Sequence, residues 1–323
     1  MSNFIKLAYG LNGDGTGTAL EGKDIGQALA DDKLAWVHLN ANHPKTSSWI
    51  SEELKHLDPF IISALTAEET RPRMTQVEQG AIVILRGVNL NAGEDIEDMV
   101  SIRLFIDKSR IISLEKRKVR AVLTIEDNLI IGQGPKHSGQ FLCQLMGQLS
   151  GRFEKVLADL DELTDTAEEK VLSQADTNLR QEIIDIRKQS IMFRRHMAPQ
   201  RDTVSQLRVA NLSWLSEADK RELHENYNHL LRYVEELDAI RERAQIVKDE
   251  LANIITDRLN KNTYVLSVIA AIFLPLGFLT GLLGINIGGI PGSNNPMAFM
   301  IFCGALVILI LTQIIIFRKL KWF

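Results

Sequence analysis

The amino-acid sequence predicts an α+β cytosolic domain, then long stalk helices, then a two-helix transmembrane hairpin at the C-terminal end. Three observations support this. Short β-like runs alternate with helical ones as far as about residue 135. From Gly139 onward, apolar residues recur at three- and four-residue steps almost without a break. Between Asn262 and Phe317 there is no Asp, Glu, Lys, Arg or His at all. The expected divisions are 1–135, 136–262 and 263–323.

In the first division Ala35–Asn40, Ala81–Arg86, Met99–Ile106 and Arg110–Leu114 are rich in β-branched and apolar residues and read as strands. Asp107-Lys108-Ser109 fits a hairpin turn between the last two, and Ser47–Leu57 and Pro59–Ala67 read as helices. That order gives a mostly antiparallel sheet. The Gly-rich Asn12–Gly17 lacks the Gly-Lys-Ser/Thr ending and following helix that a phosphate loop needs, so a flexible turn is expected.

In the second division Leu142, Leu145, Leu149, Phe153, Val156, Leu160 and Leu163 mark one helix face. A second helix starts near Thr177, with Pro199 expected to bend it. Asp159, Asp161, Glu162, Asp165, Glu168 and Glu169 form an acidic segment, while Arg187, Lys188, Arg194, Arg195, Arg201 and Arg208 form a basic one. A solvated charged face is the default reading; antiparallel packing of the two helices could pair these charges, and an acidic patch that concentrates cations is the alternative. Ser216-Glu217-Ala218-Asp219 resembles a helix-starting capping box. No Gly or Pro occurs between it and Pro275, so one helix is expected from about Glu217 to Gly284. At 1.5 Å per residue it is about 100 Å long and must pack against other helices or copies of itself.

Tyr264–Gly284 and Met297–Phe317 are equal in length, and each reaches roughly 30 Å as a helix, the thickness of a bilayer core. Arg258 and Lys261 precede the first run, Arg318, Lys319 and Lys321 follow the second, and the intervening loop has no basic residue. Both chain ends are therefore expected in the cytosol, with loop 285–296 outside. Tyr264 and Trp322 stand where interfacial aromatics belong, and Met1–Gly17 has no signal-peptide pattern. Stepping back from Gly284 gives Gly281, Gly277, Leu274, Ala270, Leu266 and Thr263, a stripe of small or apolar residues at helical spacing. Such a stripe lines a narrow conduit or, through Gly277-x-x-x-Gly281, serves close helix packing. Two helices alone cannot enclose a polar path, so transport requires several subunits around an axis. A third use of such a hairpin is to anchor a cytosolic sensor without any flux.

Composition narrows the chemistry. A net charge of −4 argues against a nucleic-acid partner. Cys143 and Cys303 are the two cysteines and form no CxxC pair, which argues against disulfides and cysteine-based zinc sites. No catalytic residue and no cofactor is expected. Glu225 and His229 are four apart, a spacing that fits a surface ion pair better than a metal site, while Asp257 and Asn260 are placed for cation contact near the cytosolic end of the first span.

Gly284-Ile285-Asn286 resembles the signature of the two-transmembrane Gly-x-Asn family of divalent-cation transporters, typified by the CorA magnesium channel; that family usually has Met in the middle. Ala67–Arg73, Leu85–Asn91 and Gly284–Gly292 are more similar to its ZntB zinc-transporter branch. The resemblance implies a CorA-like pentameric funnel with the first membrane helix lining a central pore and a ring of Asn286 amides at the periplasmic entrance. For the ZntB branch it implies Zn2+ uptake across the bacterial inner membrane coupled to protons. Magnesium, nickel or cobalt is the alternative cargo. Stripping water from a divalent ion is very costly, and a bare zinc site needs His, Cys or carboxylate ligands at about 2.0–2.3 Å. Asn286 is therefore expected to hold the ion through its hydration water. No ionisable side chain is available for an intramembrane proton relay.

Overall fold

The computed structural model describes residues 4–31, 33–53, 57–68, 70–78, 80–173, 176, 178–284, 292 and 295–319. The chain divides into a unit of residues 1–249 and a unit of residues 250–323.

The first unit is built on a seven-stranded sheet. Its strands are β1 (Ile5–Leu11), β2 (Gly17–Ala19), β3 (Ala35–Asn40), β4 (Arg73–Val77), β5 (Gly80–Gly87), β6 (Val100–Ile106) and β7 (Arg110–Glu115), in the order β2-β1-β3-β7-β6-β5-β4. Only β3 and β7 run parallel, with Ala35 opposite Arg110; every other pair is antiparallel. The expected α+β fold and mostly antiparallel sheet are both present.

Alternation along β3 shows how two helical layers are served. Ala35, Val37 and Leu39 pack into one core with Ile25 and Leu29 of α1 (Lys23–Ala30), Ile50 of α2 (Lys45–Glu53) and Ile61 and Leu65 of α3 (Pro59–Thr66). Trp36 takes the other direction and meets Phe141 of α5 (Ser138–Ser173) edge-on, with ring centroids 4.9 Å apart. Asp58 caps α3 through the Phe60 N–H, 2.8 Å away, and α4 (Arg120–Ile130) follows β7.

The Asn12–Gly17 turn closes the β1–β2 hairpin. Asp14 Oδ1 accepts from Thr16 N and Oγ1 at 2.8 and 2.7 Å, and Gly13 and Gly15 take φ of 81° and 102°. A Cβ on Gly15 would lie 2.8 Å from the Gly132 carbonyl oxygen, so this loop is shaped by a backbone approach and not by phosphate chemistry.

A buried polar network sits beside Trp36. The Trp36 indole N–H donates to Ser113 Oγ at 2.8 Å, which is also 2.8 Å from His38 Nδ1. His38 Nε2 lies 3.4 Å from Glu115 Oε2, Lys6 pairs with the other carboxylate oxygen, and the Val119 N–H donates to Oε2 at 2.6 Å. Burial opposes ionisation of Glu115, but His38, Lys6 and the Val119 N–H outweigh it and hold the carboxyl below its ordinary range.

Three helices continue the unit: α5, α6 (Leu179–Val209) and α7 (Glu217–Leu283), the last running on into the second unit. Phe153 meets Phe193 at 5.3 Å and Tyr233 at 5.4 Å, so one aromatic cluster ties all three together. The capping box at Ser216 is present: Ser216 N and Oγ donate to Asp219 Oδ2 at 2.8 and 2.7 Å, and Asp219 N donates back to Ser216 Oγ at 3.2 Å. Pro199 lies inside α6, which runs on through it. The acidic residues of α5 and the basic residues of α6 do not mainly pair with each other. Asp161, Asp165 and Glu168 lie on one face of α5 and converge on Arg243 of α7, and Arg194 of α6 pairs with Asp238 of α7 at 2.7 Å. The α7 helix therefore takes the charges of both neighbours. Among the described residues, Lys170 of α5 pairs with Glu182 of α6 at 2.9 Å, where the two helices end and begin.

The second unit holds the rest of α7 and α8 (Ala298–Lys319). Val268, Ala271, Ile272, Pro275, Leu276 and Leu279 are the covered or half-covered positions on this part of α7, and they share one face. Gln313 Nε2 on α8 donates to the Ala271 carbonyl at 3.3 Å. That carbonyl is the one that Pro275, which has no N–H, leaves without its helical donor. In a bilayer an unsatisfied carbonyl is costly, and a neighbouring helix is the remedy available. Gln313→Leu is therefore expected to lower hairpin stability by about 1 kcal/mol. It should do nothing in a Pro275→Ala background, where residue 275 supplies the donor itself. Equal losses of melting temperature in both backgrounds, measured in detergent, would refute the pairing.

Candidate functional site

The most apolar stretches of α7 and α8 are almost wholly uncovered, unlike the core helix of a soluble protein. Both helices are long and apolar enough to cross a membrane. The hydroxyls of Ser267, Thr280 and Thr312 each donate to the carbonyl four residues earlier, at 2.8–2.9 Å.

Thr263, Leu266, Ala270, Leu274, Gly277 and Gly281 are all exposed. At 3.6 residues per turn they fall on the side of α7 opposite the face that carries Ala271 and Pro275. A Cβ added to Gly277 or Gly281 would meet nothing within 4 Å. The Gly-x-x-x-Gly pattern is thus not used to pack α7 against α8 of the same chain. Lining a conduit, packing against another copy and facing lipid are the uses left.

The stripe ends at Gly284, whose N–H donates to the Thr280 carbonyl at 2.9 Å. A Cβ there would lie 2.8 Å from the same carbonyl oxygen, so the first residue of the Gly-x-Asn signature is glycine for a steric reason. Ile285 and Asn286 lie outside the described residues. Asp257 and Asn260 are exposed on α7. Among the described residues no three His, Cys, Asp or Glu side chains gather where they could hold a metal ion. Glu225 and His229 do not form a pair; His229 Nδ1 lies 3.4 Å from Arg232 instead. Gln313 is the polar side chain of the hairpin that sequence reasoning left unread. The signal that could have found it is the carbonyl freed by Pro275 on the facing helix.

The profile of the family described as CorA-like Mg2+ transporter protein matches residues 31–319. The chain belongs to that family. Among its curated relatives, the zinc transport protein ZntB of Pectobacterium atrosepticum is 36% identical over 98% of this chain and 95% of the relative. The divalent cation transporter CmaX of Pseudomonas aeruginosa is 37% identical over 98% of this chain and 96% of the relative. Among solved structures, that of a full-length CmaX protein is 36% identical, covers 99% of this chain and 98% of its own, and superposes with a TM-score of 0.86. The CorA-like fold of cytosolic α+β domain, long helix and C-terminal apolar helix is therefore the family fold. The signature, however, has Ile285 where Met is usual.

Proposed function

We propose that this chain is a zinc transporter of the bacterial inner membrane, taking Zn2+ into the cytosol together with protons. Five copies surround a central pore lined by Thr263, Leu266, Ala270, Leu274, Gly277 and Gly281, with Gly284, Ile285 and Asn286 at its outer mouth as the selectivity filter. The observation that carries this proposal is the charge-free stripe on the side of α7 that α8 leaves uncovered. Walls of this kind offer a divalent ion no charged ligands, so the ion passes with its water, which the Asn286 amides hydrogen-bond at the entrance. Asp257, exposed on α7, is a candidate cation contact at the cytosolic end. Zinc is cargo and not a resident cofactor. The basic residues flanking the two spans support a topology with both termini in the cytoplasm.

Zinc is chosen as cargo because a relative so named matches the chain along nearly its whole length. A broader divalent range has its own support in the equally similar relative named a divalent cation transporter. With no ionisable side chain between Asn262 and Phe317, protons travel in the pore water or bind the cytosolic domain. Reconstituted liposomes test these points together. Zinc influx is expected to exceed magnesium influx and to rise when the outside is acidified. Insensitivity to the pH gradient would remove proton coupling, and magnesium influx equal to zinc would remove zinc selectivity. No flux of any cation would leave a membrane-anchored sensor.

A further inference from the structure

The Arg71-Pro72-Arg73 segment is not used by cation transport, yet it borders a cavity of about 560 Å³ in the first unit. Arg71 and Thr70 come from the loop ahead of β4, Arg73 from β4, Arg86 from β5, and Arg195 and His196 from α6. Four guanidinium groups thus face one space, against the two carboxylates of Glu68 and Asp98. Asp98 is already engaged: Arg117 binds it at 2.6 Å and, as the largest influence, holds its carboxyl below the usual range. Arg86 is fixed in place by donating to the carbonyls of Met99 and Thr70 at 2.7 and 2.6 Å.

Arg71, Arg73 and Arg195 are exposed, and their side chains make no hydrogen bond or ion pair among the described residues. A merely solvated basic face would account for those three. It would not account for the polar atoms behind them. Thr70 Oγ1 and His196 Nδ1 are both closed off from solvent and have no hydrogen-bond partner among the described residues. Burying polar atoms without partners is costly, and an oxygen-rich anion in the cavity would meet the guanidinium forks and, after a small rotation of the Thr70 and His196 side chains, supply acceptors to both.

We infer that this cavity binds a phosphate-class oxyanion that bridges α6 to the loop ahead of β4. Proton uptake should accompany binding. Burial above all, then Arg86 and Arg195, push the His196 pKa down to about 4; Arg71 acts in the same direction and Asp98 against it. The imidazole is therefore neutral near pH 7, and an anion beside it favours the protonated form. Binding draws in a proton at any pH between the free and the bound value, and affinity falls as pH rises through the bound value.

Calorimetric titration of the full-length protein in detergent tests this, with pyrophosphate and a nucleoside triphosphate as separate titrants. Saturable binding is expected, with proton uptake visible as a difference between buffers of unlike ionisation heat. A response to both titrants means a bare oxyanion suffices; a response to the triphosphate alone means the site reads a nucleotide's phosphate chain. Arg71→Ala combined with Arg195→Ala is expected to weaken binding about tenfold or more, since hydrogen bonds to charged groups are individually strong. Both arginines are exposed, so the variant should fold. The site is refuted if neither titrant binds at millimolar concentration, if the double variant binds as the native protein does, or if sodium chloride at matched ionic strength competes as well as pyrophosphate.

Discussion

Gly281→Leu should abolish zinc influx while leaving the hairpin of each chain intact. A Cβ at this position meets nothing within 4 Å, so the larger side chain enters open space on the stripe and not the contact with α8. Leucine also favours helix over glycine by about 0.8–1 kcal/mol, so the single helix gains stability. In a pentamer the substitution acts five times around one axis, and branched apolar side chains there exclude a hydrated ion. The same variant separates the pore-lining use of the stripe from the packing use. If Gly277 and Gly281 pack against another copy, the leucine breaks the assembly, and light scattering will show a smaller particle. If they line the conduit, flux disappears while the particle keeps its mass. Undiminished zinc influx through an intact assembly would count against both the pore lining and its orientation.

The second large effect lies far from the hairpin. Glu115→Ala is expected to destabilise the first unit by about 3–5 kcal/mol, because it strips one partner from a buried charged network. His38 and the Val119 N–H would be left facing a cavity, and Glu115 itself is only 3% exposed. The pH dependence follows from the direction of its shift. A carboxyl held below its ordinary value contributes stability that is fully present above the unfolded pKa of about 4.5 and is lost as pH falls through the folded value. Denaturant melts followed by tryptophan fluorescence should show the native protein weakening below about pH 4.5. Glu115→Gln should show a flatter profile there. A native profile as flat as that of the glutamine variant would mean the network carries no net charge stabilisation.

Legibility in the sequence followed the way each element is buried. The strands β3, β5 and β7 are runs of β-branched and apolar residues buried on both faces, and their sequence boundaries matched the structure to within about one residue. Lys6 and Gly10 interrupt β1, and β4 is an edge strand with Arg73, Thr75 and Gln76 in five residues, so neither carried a readable pattern. The start of α7 could be read because a capping box is local. The partner of the acidic α5 segment could not, because Arg243 lies 75–82 residues further along the chain. Gln313 was missed for the same reason: its carbonyl partner is 42 residues away. The phosphate-class cavity draws on a loop, two strands and a helix, and no spacing in the sequence brings those together.

The most direct test of the transport account is zinc influx into proteoliposomes with native protein and with Asn286→Ala, at equal protein density. Native protein should give saturable influx, and the variant a large loss with its assembly intact, since the proposed role of the amide is to hydrogen-bond the hydrated ion at the entrance. Influx through Asn286→Ala equal to native would contradict the account of how the ion enters.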